Sequence, residues 1–392
     1  MDGKLGIGII GCGGVSEVHG AAYMEFCDLC HIIGVCDVAP ARALGRMREW
    51  HASAVYDDYR NLLADDRIDV VSICTPHYLH APMAIDAARA GKHALVEKPM
   101  AISVRQASEM VNAARENGVK LGVIFQNQYT PNNKFIHREV SPLLGEIQFS
   151  CLATYHYRDS KYYARDPWRG KWEQEGGGVF VNQAIHAWDV FQSYNGGVDY
   201  AIGYWANILH PTIEVEDIGY GLVEFKNGSH GKLFTTTCWT GQNEMIIQGE
   251  YGRIVGSVEE MGNCWFELED KSLQERLMEE LQRERQEAKY DAEKWGEGHK
   301  AQIRDFLEGI VEGREPFVTG KSACESMKIC DGMHLHGWPY TEQLRQYIRG
   351  NFHLPEGVEA GRKQAWDGGQ LHQRILGIVK NPERKLETLA SL

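Results

Sequence analysis

Apolar residues follow two different patterns along this chain. In roughly the first third, short unbroken apolar runs alternate with stretches of helical spacing. Leu5 to Ile10, Ile32 to Cys36, Asp69 to Cys74, Ala94 to Val96 and Leu121 to Phe125 are too short for helices. They read as strands buried on both faces. Val18 to Phe26, Ala81 to Ala90 and Ser103 to Asn117 read as helices, the last two stopped by Gly91 and Gly118. Strand and helix in alternation predict a doubly wound parallel sheet of the Rossmann type, with five or six strand-helix units. From Ile147 onward, apolar and polar residues take turns. Ile147 to Tyr157, Tyr200 to Ala206, Gly219 to Phe225, Lys232 to Cys238 and Met245 to Gly249 predict strands of a second sheet, with a hairpin turn at Asn227-Gly228. Three amphipathic helices follow. One lies in the charged stretch from Glu267 to Glu297 and is striped by Leu273, Leu277 and Leu281; the others run from His299 to Val311 and from Ser322 to Trp338. The expected division is a nucleotide-binding domain over 1–127, a second α/β domain over 128–345 and an extension over 346–392, wrapping the core or a neighbouring subunit.

Composition narrows the partners. A chain of 392 residues has room for two domains, and 43% hydrophobic with 24% charged residues is ordinary for a globular protein. The net charge of −13 disfavours nucleic acid and anionic membranes, both of which need basic surface. No apolar run approaches the ~20 residues that span a bilayer. The start leads straight into a strand, and ten cysteines lie scattered without a framework. A cytoplasmic enzyme or binding protein is expected. Cys27-x-x-Cys30-His31 has metal-like spacing, but no second pair answers it, so no metal is expected. His334 and His336, two apart on a helix, do not face each other.

The chemistry gathers at the carboxyl ends of the first strands, where open parallel sheets bind ligands. Gly11-Cys12-Gly13-Gly14-Val15-Ser16 follows the first strand as a dinucleotide fingerprint, with serine in the third glycine slot. Gly11 permits the tight turn, and Gly13 lets the backbone approach a pyrophosphate at a helix N-terminus. Asp37 ends the second strand 24 residues beyond Gly13, placed to bond a ribose 2′-hydroxyl and repel a 2′-phosphate. NAD is therefore expected over NADP, with Arg42 the argument for NADP. The strand at Ala94 runs into Glu97-Lys98-Pro99, which sets an ammonium at the ligand edge ahead of a proline able to take a cis bond.

Further motifs lie downstream. Gln126 marks the crossing into the second domain. Tyr162 to Trp172 is aromatic and basic, so Trp168 suits a sugar face or the nicotinamide and Arg169 a phosphate. Gly176-Gly177-Gly178 opens a helix on which Asn182 and His186, four apart, share a face. Asp189, three further on, is placed to orient the imidazole.

These motifs together resemble those of the glucose-fructose oxidoreductase / inositol 2-dehydrogenase / rhizopine-catabolism (Gfo/Idh/MocA) family. The residues that carry the resemblance are Gly11-Cys12-Gly13-Gly14, Cys74-Thr75-Pro76 with His80, Glu97-Lys98-Pro99, and Gly176-Gly177-Gly178 through His186 and Asp189. The resemblance spans roughly residues 4 to 340. It implies an N-terminal Rossmann domain and a C-terminal α/β domain on a large open, mainly antiparallel sheet, through which family members oligomerise. It implies Thr75, Pro76, His80, Glu97 and Lys98 around the nicotinamide ribose, and a lysine and a histidine as catalytic groups. Many members carry aspartate where Asn182 stands, and often arginine where Gln128 stands. Asn182 and the triplet Trp168-Arg169-Gly170 are similar to a branch that includes sugar 3-dehydrogenases.

The expectation is an NAD-dependent oxidation of a secondary hydroxyl of a sugar or glycoside, best at C3. His186 would take the proton and Lys98 the developing alkoxide. Asn182, Tyr157, Arg158, Trp168 and Asp189 would hold the substrate. Gly11, Cys12, Gly13, Gly14, Val15, Asp37, Thr75, Pro76, His80, Glu97, Lys98, Gln126, Trp168 and Arg169 would hold NAD. A 3-keto sugar could recycle a retained cofactor. The alternatives are a cyclitol 2-dehydrogenase, a glycosidase working by transient C3 oxidation and elimination, and a non-catalytic nicotinamide sensor.

Overall fold

Buried apolar strands form the first sheet: β1 (Leu5–Ile10), β2 (Cys30–Cys36), β3 (Ala54–Tyr56), β4 (Val70–Ile73), β5 (His93–Val96) and β6 (Leu121–Val123). In this computed structural model, which describes residues 3–257, 264–288, 290–291 and 295–335, they run parallel in the order β3-β2-β1-β4-β5-β6. The order reverses between β1 and β4, which opens a crevice at their carboxyl ends. Ile10 pairs with Ile73 and Ile73 with Val96, so Gly11, Cys74 and Glu97 leave three neighbouring strands side by side.

The second sheet comprises β7 (Ile147–Tyr155), β8 (Val198–Ala206), β9 (Ile218–Phe225), β10 (His230–Thr236), β11 (Glu244–Gly249), β12 (Gly252–Gly256) and β13 (Trp265–Leu268), in the order β13-β12-β11-β7-β10-β9-β8. Only the β7–β10 pairing is parallel. The sequence pattern misses β3, β12 and β13, which have three to five residues and too few alternations to register. Helices Ile185–Tyr194 and Gly320–Leu335 cover one face, burying Trp188, Phe191 and Met333. On the other face Ile202, Tyr220 and Leu222 are exposed.

Helix Glu297–Val311 lies in the stretch expected to belong to the second domain, yet it packs on the first. Its Ile303, Phe306 and Leu307 share a core with Ile7, Ile9 and Val35 of β1 and β2. Gln302 clasps the sheet edge, donating to the Val123 carbonyl (2.6 Å) and accepting from the Phe125 N–H (2.9 Å). The last described helix begins at Gly320, ahead of the expected Ser322, and is described as far as Leu335. Trp338, His336 and the extension 346–392 lie outside the described residues.

Candidate active site

The glycine turn after β1 is shaped for a close backbone approach. Gly11 has φ +93°, and a Cβ there would stand 2.6 Å from the Cys74 carbonyl oxygen. A Cβ on Gly13 would meet nothing within 4 Å, and one on Gly14 would meet only Arg165 Nη2 at 3.7 Å. Helix Ser16–Glu25 starts behind this opening, after Val15, with no side-chain cap. The Glu17 and Val18 N–H groups donate to the Gly14 and Val15 carbonyls (3.2 Å each), which closes the first turn and leaves the positive end of the helix facing the opening. Ser16 Oγ donates to the Gly13 carbonyl (2.6 Å), which fixes the turn. Asp37 braces it from β2, its Oδ2 accepting from the Cys12 N–H (2.8 Å) and its Oδ1 from the Ala39 N–H (2.7 Å). Arg42 Nη1 stands 4.0 Å from Asp37 Oδ2. These residues fit a dinucleotide: an open backbone cradle, a carboxylate beside it, and a buried Gln126 Oε1 that has no partner.

The loop after β4 is tied to the turn after β5. His80 reaches the Thr75 carbonyl with Nε2 (2.7 Å) and the Pro99 carbonyl with Nδ1 (2.7 Å), while Pro76 precedes helix His77–Arg89. The Lys98–Pro99 bond is cis. Glu97 does not offer a free carboxylate to the crevice. Its Oε1 meets His19 Nε2 (3.0 Å) and its Oε2 the Lys98 N–H (3.2 Å), and His19 Nδ1 rests on Ser72 Oγ (3.1 Å). Burial pushes this carboxyl up, but His19, His299 and Lys98 together hold it at about 2. Nothing in the sequence pattern pairs His19 with Glu97, because the two lie 78 residues apart.

Lys98 leaves the first sheet and enters the second domain. Its Nζ donates to the Asn182 carbonyl (2.8 Å) and to Asn182 Oδ1 (3.3 Å). Burial pushes the ammonium down to about 8; Glu97 and Glu175 oppose this, and Arg169 and Arg158 add to it. The segment Val179–Ala184 is a π turn rather than the α-helix the spacing predicts, and regular helix begins at Ile185. His186 follows, its ring edge-on to Phe125 (6.2 Å) and its Nδ1 buried without a partner. Burial, then the charge on Lys98, holds His186 well below the usual histidine range, so it is neutral at pH 7.

Asp189 does not orient this imidazole. Its carboxylate accepts from Gln128 Nε2 (2.9 Å) and Ser326 Oγ (2.7 Å), and it is 2% exposed. Three residues past His186 turns the side chain to a neighbouring helix face, which here is the one packed on the interior. It is therefore a buried brace and not the substrate contact expected of it.

The aromatic loop closes the crevice. Trp168 packs on His77 of the first domain (4.6 Å between rings), and Arg169 lies over both Trp168 and Tyr162 (4.6 Å each). Tyr162 OH receives Arg169 Nη1 and Gln183 Nε2 (2.7 Å each), and Gln183 Oε1 receives Arg158 Nη2 (2.6 Å). Tyr157 is 49% exposed just past β7, and its described polar contact is through its carbonyl, which accepts Arg158 Nη1.

Sequence reasoning passed over Glu175. It ends the short helix Trp172–Glu175, is fully buried, and receives Asn182 Nδ2 on Oε1 and the Gly170 N–H on Oε2. Burial pushes it up to about 7. The signal available in the sequence was only an acidic residue directly before three glycines. A second polar cluster, His210, Asp217 and Cys238, has ligand atoms within 4.8 Å of one another. Asp217 is taken by the N–H groups of Ile208, Leu209 and His210, and His210 Nε2 by the Arg158 carbonyl, so these groups serve the loop.

Comparison with known proteins agrees with this architecture. Residues 5–125 match the model of an oxidoreductase family with an NAD-binding Rossmann fold, and residues 141–255 match the GFO/IDH/MocA C-terminal domain. The chain is 30% identical over 57% of its length to the D-glucoside 3-dehydrogenase of Escherichia coli K12, covering 68% of that protein. It is also 30% identical over 58% of its length to an uncharacterised oxidoreductase, YrbE, of Bacillus subtilis 168, covering 66% of it. The chain thus spans about two thirds of these relatives. A solved WlbA dehydrogenase from Bordetella pertussis, in complex with NADH and UDP-GlcNAcA, superposes with a TM-score of 0.75 at 26% identity, over 86% of this chain and 96% of that one. Fold, glycine cradle and both matched domains agree, and the chain belongs to the Gfo/Idh/MocA family of NAD-binding oxidoreductases.

Proposed function

We propose that the chain oxidises a secondary hydroxyl of a sugar or glycoside, at C3 of a hexopyranoside, with NAD as hydride acceptor. One observation carries the reading: the Lys98 ammonium of the first domain is bonded to Asn182 of the second, in the π turn that leads into the helix of His186. A carbinol beside this pair would have a cation for its oxygen and a neutral imidazole for its proton. An alcohol holds its proton far too tightly to lose it unaided at pH 7, so both groups are needed. Lys98 donates to the substrate oxygen as charge develops, and His186 accepts the hydroxyl proton. Asn182 keeps the ammonium aimed. Bound NAD supplies the hydride chemistry. Arg165, above the glycine turn, would meet the pyrophosphate. The similarity to a D-glucoside 3-dehydrogenase supports C3. The exposed apolar face at Ile202, Tyr220 and Leu222 supports a homo-oligomer joined through the second sheet.

The test is NADH formation from a panel of methyl and aryl D-glucosides, with the keto product located by borodeuteride reduction. Deuterium at C3 supports the assignment, and deuterium at another carbon refutes the position. Release of aglycone without net NADH would instead establish the elimination route. Absence of hydride transfer across the panel would leave a nicotinamide sensor.

A further inference from the structure

Glu175 touches neither the glycine cradle nor His186, yet it ends a hydrogen-bonded line to Lys98. The line is Gly170 N–H to Glu175 Oε2, Asn182 Nδ2 to Glu175 Oε1, and Lys98 Nζ to Asn182 Oδ1. With Glu175 ionised, every member but Asn182 has a fixed polarity. A backbone amide and an ammonium only donate, and a carboxylate only accepts. Asn182 is the one group that could turn end for end, exchanging its oxygen and its nitrogen.

We propose that Glu175 is a positioning residue that sets the direction of the Asn182 amide and, through it, the charge and aim of Lys98. It deepens the dehydrogenase reading and rests on that reading for its effect on turnover. With a carboxylate at Glu175, the flipped amide would put its oxygen against an anion and its NH2 against an ammonium. Both contacts would be repulsive in a low-dielectric site. The observed direction is therefore enforced, and the Asn182 oxygen stays on Lys98. Glu175 also contributes negative charge that favours the ammonium form of Lys98. The charged groups around Glu175 are Lys98, Arg169 and Glu216, with Tyr163 beside them. Its ionisation, held near neutrality, makes the lock responsive to pH.

The geometry makes a specific exchange informative. In Glu175→Gln, the Gly170 N–H demands the amide oxygen of the introduced glutamine, so its NH2 must face Asn182. The Asn182 amide then turns, and its nitrogen meets Lys98. Adding Asn182→Asp repairs every bond: the introduced aspartate accepts from the glutamine on one oxygen and from Lys98 on the other. The carboxylate has moved one residue along the line, and the net charge is unchanged.

Two measurements test this on the full-length protein. Competitive acetylation of Lys98 by trace acetic anhydride against pH, read on its peptide by mass spectrometry, gives the titration midpoint without any sugar. Steady-state NADH formation from methyl D-glucosides gives kcat and KM. Glu175→Gln is expected to lower the Lys98 midpoint by about one pH unit and kcat by about tenfold or more, with KM changed less than about threefold. The double variant is expected to return the Lys98 midpoint to within about half a pH unit, and kcat to within about threefold, of the unsubstituted protein. An unmoved midpoint in Glu175→Gln, or a double variant no better than that single, would overturn the proposal. If the unsubstituted protein oxidises none of the glucosides, the dehydrogenase reading falls, while the midpoints still decide the role of Glu175.

Discussion

Replacing Lys98 with methionine separates the charge from the bulk of the side chain. The thioether fills similar space along the floor of the crevice, so what disappears is the ammonium and its bonds to Asn182 at 2.8 and 3.3 Å. Two of the three ammonium donors are used on Asn182, which leaves one for the substrate oxygen. Loss of one preorganised donor to a developing oxyanion costs about 2.7–4 kcal/mol, or about 10²–10³ in kcat. A titration midpoint of about 8 keeps roughly nine-tenths of Lys98 charged at pH 7. The lowered pKa means that the ammonium is lost as pH rises through about 8, so kcat should fall above that point. Burial holds His186 well below the usual histidine range, so it is neutral across the same range and adds no ascending limb near neutral pH. Lys98→Met should therefore lower kcat by about 10²–10³ and abolish the alkaline decline, with NADH affinity by fluorescence titration within about threefold. Turnover within about fivefold of the unsubstituted protein, or an alkaline decline that persists, would remove Lys98 from the chemistry.

Other parts of the structure make independent predictions. His186→Ala should lose turnover by about 10²-fold or more while NAD binding survives, and unchanged turnover would refute its role as base. Arg165→Ala should raise the NADH dissociation constant by about 10–100-fold and flatten its salt dependence, because a charge-assisted bond is worth about 1.5–3 kcal/mol; equal affinity would place Arg165 away from the pyrophosphate. His19→Leu leaves Glu97 ionised and buried without its main partner, and should cost about 3–5 kcal/mol in chemical denaturation. The sign follows from the depressed Glu97 carboxyl: the stability it contributes is present above its ordinary value of 4.5 and is lost as pH falls towards 2. The pH-dependent part should vanish in Glu97→Gln. If the second sheet joins copies of the chain, Leu222→Glu on its exposed face should yield a smaller particle by light scattering with the fold intact, and an unchanged mass would refute an oligomer joined through this face.

How much of this was legible before folding depended on the range over which the information acts. Five of the six strands of the first sheet, all but the short β3, announced themselves as apolar runs, and their turns carry their own chemistry, as at Gly11 and Glu97-Lys98-Pro99. The same locality fails where a contact joins distant segments. His19 meets Glu97 across 78 residues, and Gln302 meets Phe125 across 177, so no spacing rule could pair them. Helix Glu297–Val311 shows the intermediate case. Its apolar stripe predicted a buried face, but a stripe does not say which core will receive it.

The region from Glu175 to Asp189 failed for a different reason. Spacing arguments assume a constant helical turn, and Val179–Ala184 breaks that assumption with a π turn. Asp189, the acid that spacing favoured, points into the interior to Gln128 and Ser326. Glu175, an acid outside the helix altogether, supplies the carboxylate that reaches Asn182. Where many family members carry aspartate, Asn182 can hold neither a proton nor a charge. In three dimensions the acid is displaced by the length of one amide, and the asparagine transmits its polarity instead of its charge. A site of this kind should tolerate moving the carboxylate along the line and should not tolerate losing it. That distinction separates an electrostatic network from a set of individually indispensable residues.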